Sequence, residues 1–145
     1  MEGYLRNVSE DDVLLLYEWA NDQEVRKNSF STKKIPLHEH KKWFFDKLKT
    51  NKTDMYIYMY EDDPVGQIRI DYENDVGIIS YSIAKEYRGK GLADNMLKLA
   101  EEKVKESRNE INILHANVKI ENKISQMKFE NQGYSKYITY EKKVR

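Results

Sequence analysis

The sequence predicts a mixed α/β domain, and three observations support that fold class. Apolar residues recur at helical spacing in several segments, and residues of strand type alternate through the middle of the chain. A glycine-rich turn joins the last of these central strands to a strongly amphipathic helix. A helical crossover of this kind favours parallel pairing of the strands on either side of it. The predicted sheet is therefore mixed, antiparallel in the middle with one parallel addition.

The first half of the chain supplies two helices and two paired strands. Ser9 is a helix N-cap with Asp12 three residues later, and Pro36 is typical of a helix start. The turn 61–64, Glu-Asp-Asp-Pro, favours a hairpin between two aromatic strands. The predicted elements are a strand at 4–8, helices at 9–21 and 36–49, and strands at 55–60 and 65–72.

The second half supplies the crossover. A strand at 76–84 leads through the glycine-rich turn to a helix whose apolar stripe is Leu92, Ala93, Met96, Leu97, Ala100 and Val104. A strand at 111–118 and a helix at 122–132 follow, and Gly133 is its expected C-cap. A last strand is predicted at 135–141, which gives the order β-α-α-β-β-β-α-β-α-β.

Composition limits the possible functions. A chain of 145 residues is expected to form a single domain over residues 1–145. Its formal net charge of zero argues against nucleic acid or a membrane surface as the main partner. Cysteine is absent, and His38 and His40 face different ways on a helix, so no metal site is expected. The N-terminus lacks signal-peptide features, and a cytoplasmic location is expected.

The turn at 86–91, Glu-Tyr-Arg-Gly-Lys-Gly, is the most informative stretch of the chain. Gly89 and Gly91 permit positive φ and close approach of a ligand to the backbone. The first amides of the following helix have no intrahelical partners, and Arg88 and Lys90 add positive charge. Asp94 stands where a dinucleotide-binding fingerprint requires a third glycine, so that motif is excluded. The pattern predicts an anion site, such as a pyrophosphate site.

This turn resembles the acetyl-coenzyme A loop of the GNAT N-acetyltransferases, [Gln/Arg]-x-x-Gly-x-[Gly/Ala], with Glu86 as the one departure. The element order also resembles that family, which implies the GNAT fold with its C-terminal hairpin shortened, because only twelve residues follow Gly133. The resemblance implies acetyl-CoA as the acetyl donor. It assigns donor binding to Arg88, Gly89, Lys90, Gly91, Leu92 and Ala93.

The resemblance further implies that the edge of the preceding strand binds the pantetheine arm. That edge comprises Tyr81, Ser82, Ile83 and Ala84, and the Ile83 amide becomes the donor to the thioester carbonyl, a contact worth roughly 3 kcal/mol in a water-poor site.

The segment from Asn122 to Tyr134 resembles the family pattern Asn-x-x-[Ala/Ser]-x-x-x-Tyr-x-x-x-Gly-[Phe/Tyr]. In that pattern the asparagine holds the pantetheine arm and the tyrosine protonates the leaving thiolate. Phe129 replaces the tyrosine here, so that Tyr134, another hydroxyl or solvent is left as the acid. Asn122, Ser125 and Phe129 are assigned to the donor site, and Asn122 is also expected to cap its helix.

The N-terminal third contains Glu18-Trp-Ala-Asn-Asp22, Val25-Arg26, Ser29-Phe30 and Glu39-His-Lys-Lys-Trp-Phe44. These motifs resemble the branch of the family that acetylates nucleotide-linked amino sugars in the pseudaminic acid pathway. This implies direct transfer to a primary amine of a UDP-linked 4-amino-4,6-dideoxy sugar. Ala20 departs from that branch, where an arginine often follows the tryptophan. The acceptor residues implied are Trp19, Asn21, Arg26, His40 and Asp71.

The general base and two alternative functions stay open. His115 is predicted on the strand beside the donor, where an imidazole is a common general base, while Asp71, Glu73 and Asp75 offer carboxylates. A similar Trp-x-Asn-Asp occurs in N-terminal acetyltransferases of the ribosomal-protein type, which is the first alternative. The second is a noncatalytic acyl-CoA-binding module, because the usual tyrosine is missing. Either a monomer or a homodimer is expected.

Overall fold

A five-stranded sheet in the order β1-β2-β3-β4-β5 forms the centre of the computed structural model, which describes residues 3–145. The first four strands pair antiparallel, and β5 joins β4 in parallel. The predicted mixed sheet is therefore confirmed. The strands are β1 Tyr4–Asn7, β2 Thr53–Tyr60, β3 Asp63–Glu73, β4 Val76–Ile83 and β5 Ile113–His115.

Helices cover both faces of the sheet, and one of them was not predicted. Asp22, just after the predicted end of the first helix, caps a short helix, because its side chain accepts from the amides of Glu24 and Val25. The predicted pairing of Ser9 with Asp12 is present, with the Ser9 amide 2.8 Å from the Asp12 carboxylate. The helices are α1 Val13–Ala20, α2 Gln23–Asn28, α3 Leu37–Lys49, α4 Leu92–Ser107 and α5 Lys123–Asn131, with 3-10 turns at Glu10–Asp12 and Lys85–Tyr87.

Two apolar clusters lie on opposite faces of the sheet. Helices α1 and α3 pack Leu16 and Phe44 against Ile57 of β2. On the other face α4 buries the stripe predicted from the sequence, with Met96, Leu97 and Ala100 fully enclosed. Burial of large apolar side chains contributes roughly 1.5–3 kcal/mol each, so the sheet is held from both sides. The site-forming ends of β4, α4 and α5 are carried on this frame.

Strand β5 is shorter than predicted, and the last strand does not form. The sequence favours strand from 111 to 118, yet only Ile113–His115 pair with β4. Residues 135–141 adopt neither helix nor strand, and Tyr137 and Tyr140 are 87% and 92% exposed. A strand needs a partner for its backbone groups, and an edge of three residues offers almost none.

Candidate active site

One cavity of about 1000 Å³ joins the segments that the sequence analysis assigned to donor and acceptor. It runs from the glycine-rich turn along β4 to the faces of α1, α2 and α3. Of the residues predicted for the donor, Ala84 and Lys90 are not among those that line it. The predicted donor residues that do line it are Tyr81, Ser82, Ile83, Arg88, Gly89, Gly91, Leu92, Ala93, Asn122, Ser125 and Phe129.

An open strand edge forms one wall of the cavity. Parallel pairing with β5 stops at Ile78, so β4 from Ile79 onward has no partner on that side among the described residues. Because the Ala84 amide donates to Val65 on β3 at 2.8 Å, the alternation of antiparallel hydrogen bonds turns the Ile83 amide toward the open side. The predicted amide donor therefore faces the cavity, at an edge able to accept an added strand-like ligand.

The glycine-rich turn forms the anion site at the end of this edge. Gly89 and Gly91 have φ of +77° and +75°, conformations that L side chains rarely adopt. Gly91 is the N-cap of α4, and no side chain caps that helix. The first-turn amides of a sixteen-residue helix are thus available to a ligand, with the helix dipole favouring negative charge. These residues fit the diphosphate of an acyl-CoA.

Arg88 was predicted to add positive charge to the loop, and in the structure a carboxylate neutralises that charge. Its Nη2 binds the Asp22 carboxylate at 2.7 Å, and its Nε donates to the Ile83 carbonyl at 2.9 Å. Burial by itself raises the pKa of Asp22, but the bond from Arg88 and the amides of Val25 and Glu24 hold the pKa below its usual value. The pair joins the donor turn to the start of α2.

Helix α5 brings a hydroxyl pair to the donor wall. The Asn122 side chain accepts from the Ser125 amide at 3.2 Å, so it caps α5 as expected. Ser125 Oγ lies 2.6 Å from the Tyr81 hydroxyl, across the gap between α5 and β4. Phe129 is buried and meets the Tyr81 ring edge to face, with centroids 5.6 Å apart. The sequence analysis missed this pair, because residues 44 positions apart give no periodic signal.

Two predicted catalytic side chains lie away from the cavity. The Tyr134 hydroxyl is buried without a partner among the described residues, and Tyr134 is not a lining residue. Burial raises its pKa to about 12, with the Glu101 charge adding to the effect. His115 is exposed at the end of β5 and does not line the cavity. It pairs with Ile78, and the open edge of β4 starts one residue beyond that pair. The structure therefore does not bring these two residues to Ile83.

The acceptor end of the cavity is aromatic with a few charges. Trp19, Phe30 and Trp43 line it, and Glu24 and Glu39 contribute exposed carboxylates. Arg26 also lines it. Among the described residues its guanidinium binds only neutral oxygens and forms no ion pair with a carboxylate. Those oxygens are the carbonyls of Ala20, Ser31 and Lys33 and the hydroxyl of Ser29. Burial lowers the Arg26 pKa from its usual value.

His40 is the one histidine that lines the cavity. It is 3% exposed and its Nε2 lies 2.9 Å from the Val13 carbonyl, so Nε2 carries the proton and Nδ1 is the basic nitrogen. Burial lowers the His40 pKa, although the bond to Val13 opposes this effect. The ring is therefore neutral at pH 7.

Asn21 and Asp71 were predicted to contact the acceptor, and the structure uses both elsewhere. The Asn21 amide pairs with both backbone groups of Ile35 and so closes the loop before α3. Asp71 binds Lys47, Thr53 and Arg69. Burial by itself raises the Asp71 pKa, but these partners outweigh burial and lower it. Neither residue lines the cavity.

The open edge of β4 leads to the uncapped first-turn amides of α4, which we call the amide cradle. Together they define a site for an acyl-CoA-type ligand. The family comparison agrees with this geometry, because a family model described as an acetyltransferase (GNAT) domain matches residues 4–135. The chain belongs to this family. The predicted fold and the predicted class of enzyme, an acetyl-CoA-dependent N-acetyltransferase, are therefore confirmed.

Solved structures share the fold at low sequence identity. Aminoglycoside acetyltransferase AAC(6')-Ib in complex with coenzyme A and kanamycin superposes with a TM-score of 0.81 at 18% identity, over 94% of this chain and 86% of that one. Spermidine N-acetyltransferase from Vibrio cholerae with CoA and spermine gives 0.80 at 16%, over 91% and 80%. The ribosomal L7/L12 α-N-protein acetyltransferase RimL with CoA gives 0.77 at 14%, over 90% and 78%.

Three further findings concern sequence relatives, membrane-spanning helices and metal sites. No curated protein sequence matches the chain at a significant level. Within residues 3–145 no helix is long and apolar enough to cross a membrane. The same residues contain no group of three His, Asp or Glu side chains placed to hold a metal ion.

Proposed function

We propose that this chain transfers acetyl from acetyl-CoA directly to a primary amine of a nucleotide-linked amino sugar, with a UDP-linked 4-amino-4,6-dideoxy sugar as the preferred acceptor. The observation that carries the proposal is the continuity of the cavity, in which the amide cradle, the Ile83 edge and the aromatic acceptor end share one space. Donor and acceptor then meet without a covalent enzyme intermediate.

The donor end of the cavity has the parts for binding and for carbonyl polarisation. The amides after Gly91 would hold the diphosphate, and the exposed Ile124 and Met127 would cover the pantetheine arm. Acetyl-CoA, when bound, supplies the thioester carbonyl that an amine attacks. The Ile83 amide would hold that carbonyl oxygen, an interaction that strengthens as negative charge develops.

The acceptor end supports an acceptor that carries negative charge. The Arg26 guanidinium has no carboxylate partner among the described residues, so an anionic group beside it gains an uncompensated positive charge. Trp19, Phe30 and Trp43 offer aromatic faces to a base or a sugar ring. Neutral His40, whose Nδ1 has no hydrogen-bond partner among the described residues, is our candidate to receive the amine proton.

Release of free thiol from acetyl-CoA tests the proposal. Four acceptors are compared at equal concentration: a UDP-linked 4-amino-4,6-dideoxy sugar, kanamycin, spermine and an N-terminal peptide. We expect the nucleotide sugar to give the highest kcat/KM. Equal turnover of the sugar and the peptide would remove the case for a nucleotide-sugar acceptor, and turnover of the peptide alone would establish the N-terminal acetyltransferase.

The noncatalytic acyl-CoA-binding module, the other alternative from the sequence, is not supported, because the family match indicates an acetyl-CoA-dependent N-acetyltransferase even with Phe129 in place of the family's tyrosine. Acetyl-CoA binding by calorimetry with no thiol release for any amine would contradict this conclusion.

A further inference from the structure

The hydroxyl pair between β4 and α5 has no role in the function proposed above. We infer that the Tyr81 hydroxyl is the proton donor to the departing sulfur, and that Ser125 is a positioning residue that holds it. This inference rests on the proposed acetyl transfer. It assigns the acid that the replacement of tyrosine by Phe129 leaves unassigned.

Geometry places Tyr81 where the missing hydroxyl would be needed. Tyr81, Ser125 and Phe129 all line the cavity, and the Tyr81 ring packs against Phe129. The hydroxyl is held by Ser125 Oγ at 2.6 Å, so its position is fixed. Tyr81 is also two residues before Ile83 on the same strand, and alternation puts both side chains on one face of the sheet.

Other hydroxyls are placed less well. Tyr87 is the other tyrosine that lines the cavity, and it lies at the glycine-rich turn with Lys90 Nζ 5.6 Å from its ring centroid. Ser82 Oγ accepts from Gln67 Nε2 at 3.1 Å on the opposite face of β4. Tyr134 is outside the lining.

The surroundings of Tyr81 keep the hydroxyl protonated, and two neighbours partly offset the cost of ionising it. Burial raises its pKa, while the bond with Ser125 and the charge of Lys128 act in the opposite direction. Lys128 itself is paired with Asp94 at 2.9 Å, and Asp94 raises the Tyr81 pKa. A proton is therefore present at neutral pH, and a cation lies near the oxygen that loses it.

The proton balance is closed by solvent. The acceptor nitrogen bonds to the carbonyl carbon, the carbon–sulfur bond breaks, and the sulfur keeps that electron pair and takes the Tyr81 proton. Tyr81 Oη then regains a proton from water by way of Ser125 Oγ. The surplus proton of the amine leaves through the base, so Tyr81 ends the cycle unchanged.

Single-turnover acetyl transfer to a UDP-linked 4-amino-4,6-dideoxy sugar provides the first test. We expect Tyr81→Phe to lower the rate about 10- to 100-fold, within the range of general acid catalysis. Ser125→Ala should lower it less, and Ser125→Thr, which keeps a hydroxyl, should stay close to the wild type. Phe129→Tyr added to Tyr81→Phe should restore much of the rate, which a packing role for Tyr81 would not explain.

A second test needs no acceptor. The thiol of bound CoA is titrated by the ultraviolet absorbance of its thiolate in wild type and Tyr81→Phe. A hydroxyl that donates to the sulfur stabilises the thiolate, so the thiol pKa should be lower in the wild type. CoA binding with equal thiol pKa values and equal transfer rates in both proteins would overturn the inference. Calorimetry showing no CoA binding by the wild type would instead contradict the proposed function itself.

Discussion

Arg88 and Asp22 lie 66 residues apart in the chain and meet at 2.7 Å. Arg88 belongs to the glycine-rich turn and also binds the Ile83 carbonyl, while Asp22 caps α2. The ion pair therefore links the donor turn to the segment that brings Arg26 and Phe30 to the acceptor end. We therefore expect loss of this contact to weaken binding at the acceptor end of the cavity.

Asp22→Asn tests that link. Asparagine caps a helix as well as aspartate, so α2 persists while the charge pair with Arg88 is lost. We expect stability to fall by about 1 kcal/mol or less, because both side chains are partly exposed. The acceptor KM should rise with little change in kcat, measured by thiol release.

Asp46→Asn is the matched control. Asp46 forms an exposed pair with Lys42 on α3 and is not a lining residue, so its loss should leave both stability and KM unchanged. An acceptor KM that responds equally to both substitutions, or to neither, would contradict the role of the Asp22 contact.

Tyr134→Phe should leave the single-turnover rate unchanged. The Tyr134 hydroxyl is buried and unpartnered among the described residues, so its removal takes away an unsatisfied polar group and should not destabilise the fold. Thermal unfolding and rapid quench measure the two effects. A rate that falls by tenfold or more would show that Tyr134 takes part in acetyl transfer and would contradict its placement outside the active site.

Because of His40, we expect the free energy of unfolding of the protein to decrease as the pH falls. Burial lowers its pKa in the folded state. Below about pH 6.5 the His40 side chain therefore binds a proton more readily in the unfolded chain than in the folded chain. The unfolded state then binds more protons, and stability falls as pH decreases through this window. Denaturant unfolding of His40→Gln should show a flatter dependence than the wild type.

A His40→Gln variant that loses stability with falling pH between 6.5 and 5 as steeply as the wild type would refute the assignment.

Local sequence signals predicted the donor half of the molecule well. The apolar stripe of α4 and the positive φ of Gly89 and Gly91 follow from periodicity and from glycine chemistry, which act within a few residues. These two features need no knowledge of distant parts of the chain. The direction of the Ile83 amide does depend on pairing with β3, and the sequence assigned Ile83 only through the family resemblance.

Long-range contacts account for what the sequence did not reveal. Asn21 and Asp71 have the residue types of a sugar site, yet their side chains form hydrogen bonds with Ile35 and Lys47 instead. Strand propensity in 135–141 has little effect beside β5, whose three residues offer almost no edge on which to pair, since propensity reports fit to a neighbour. An N-cap signal at Asp22 was available and pointed to α2.

Calorimetry of acetyl-CoA binding tests the central claim, that the amide cradle at Gly91 holds the donor. Gly91→Val places a side chain at a positive-φ position beside the diphosphate site and should abolish binding. Gly133→Val is the control, because Gly133 has φ of +89° and equally open space but follows the C-cap residue Gln132 at the far end of α5. The account predicts binding in the wild type and in Gly133→Val and none in Gly91→Val. Unchanged binding by a folded Gly91→Val protein would contradict it.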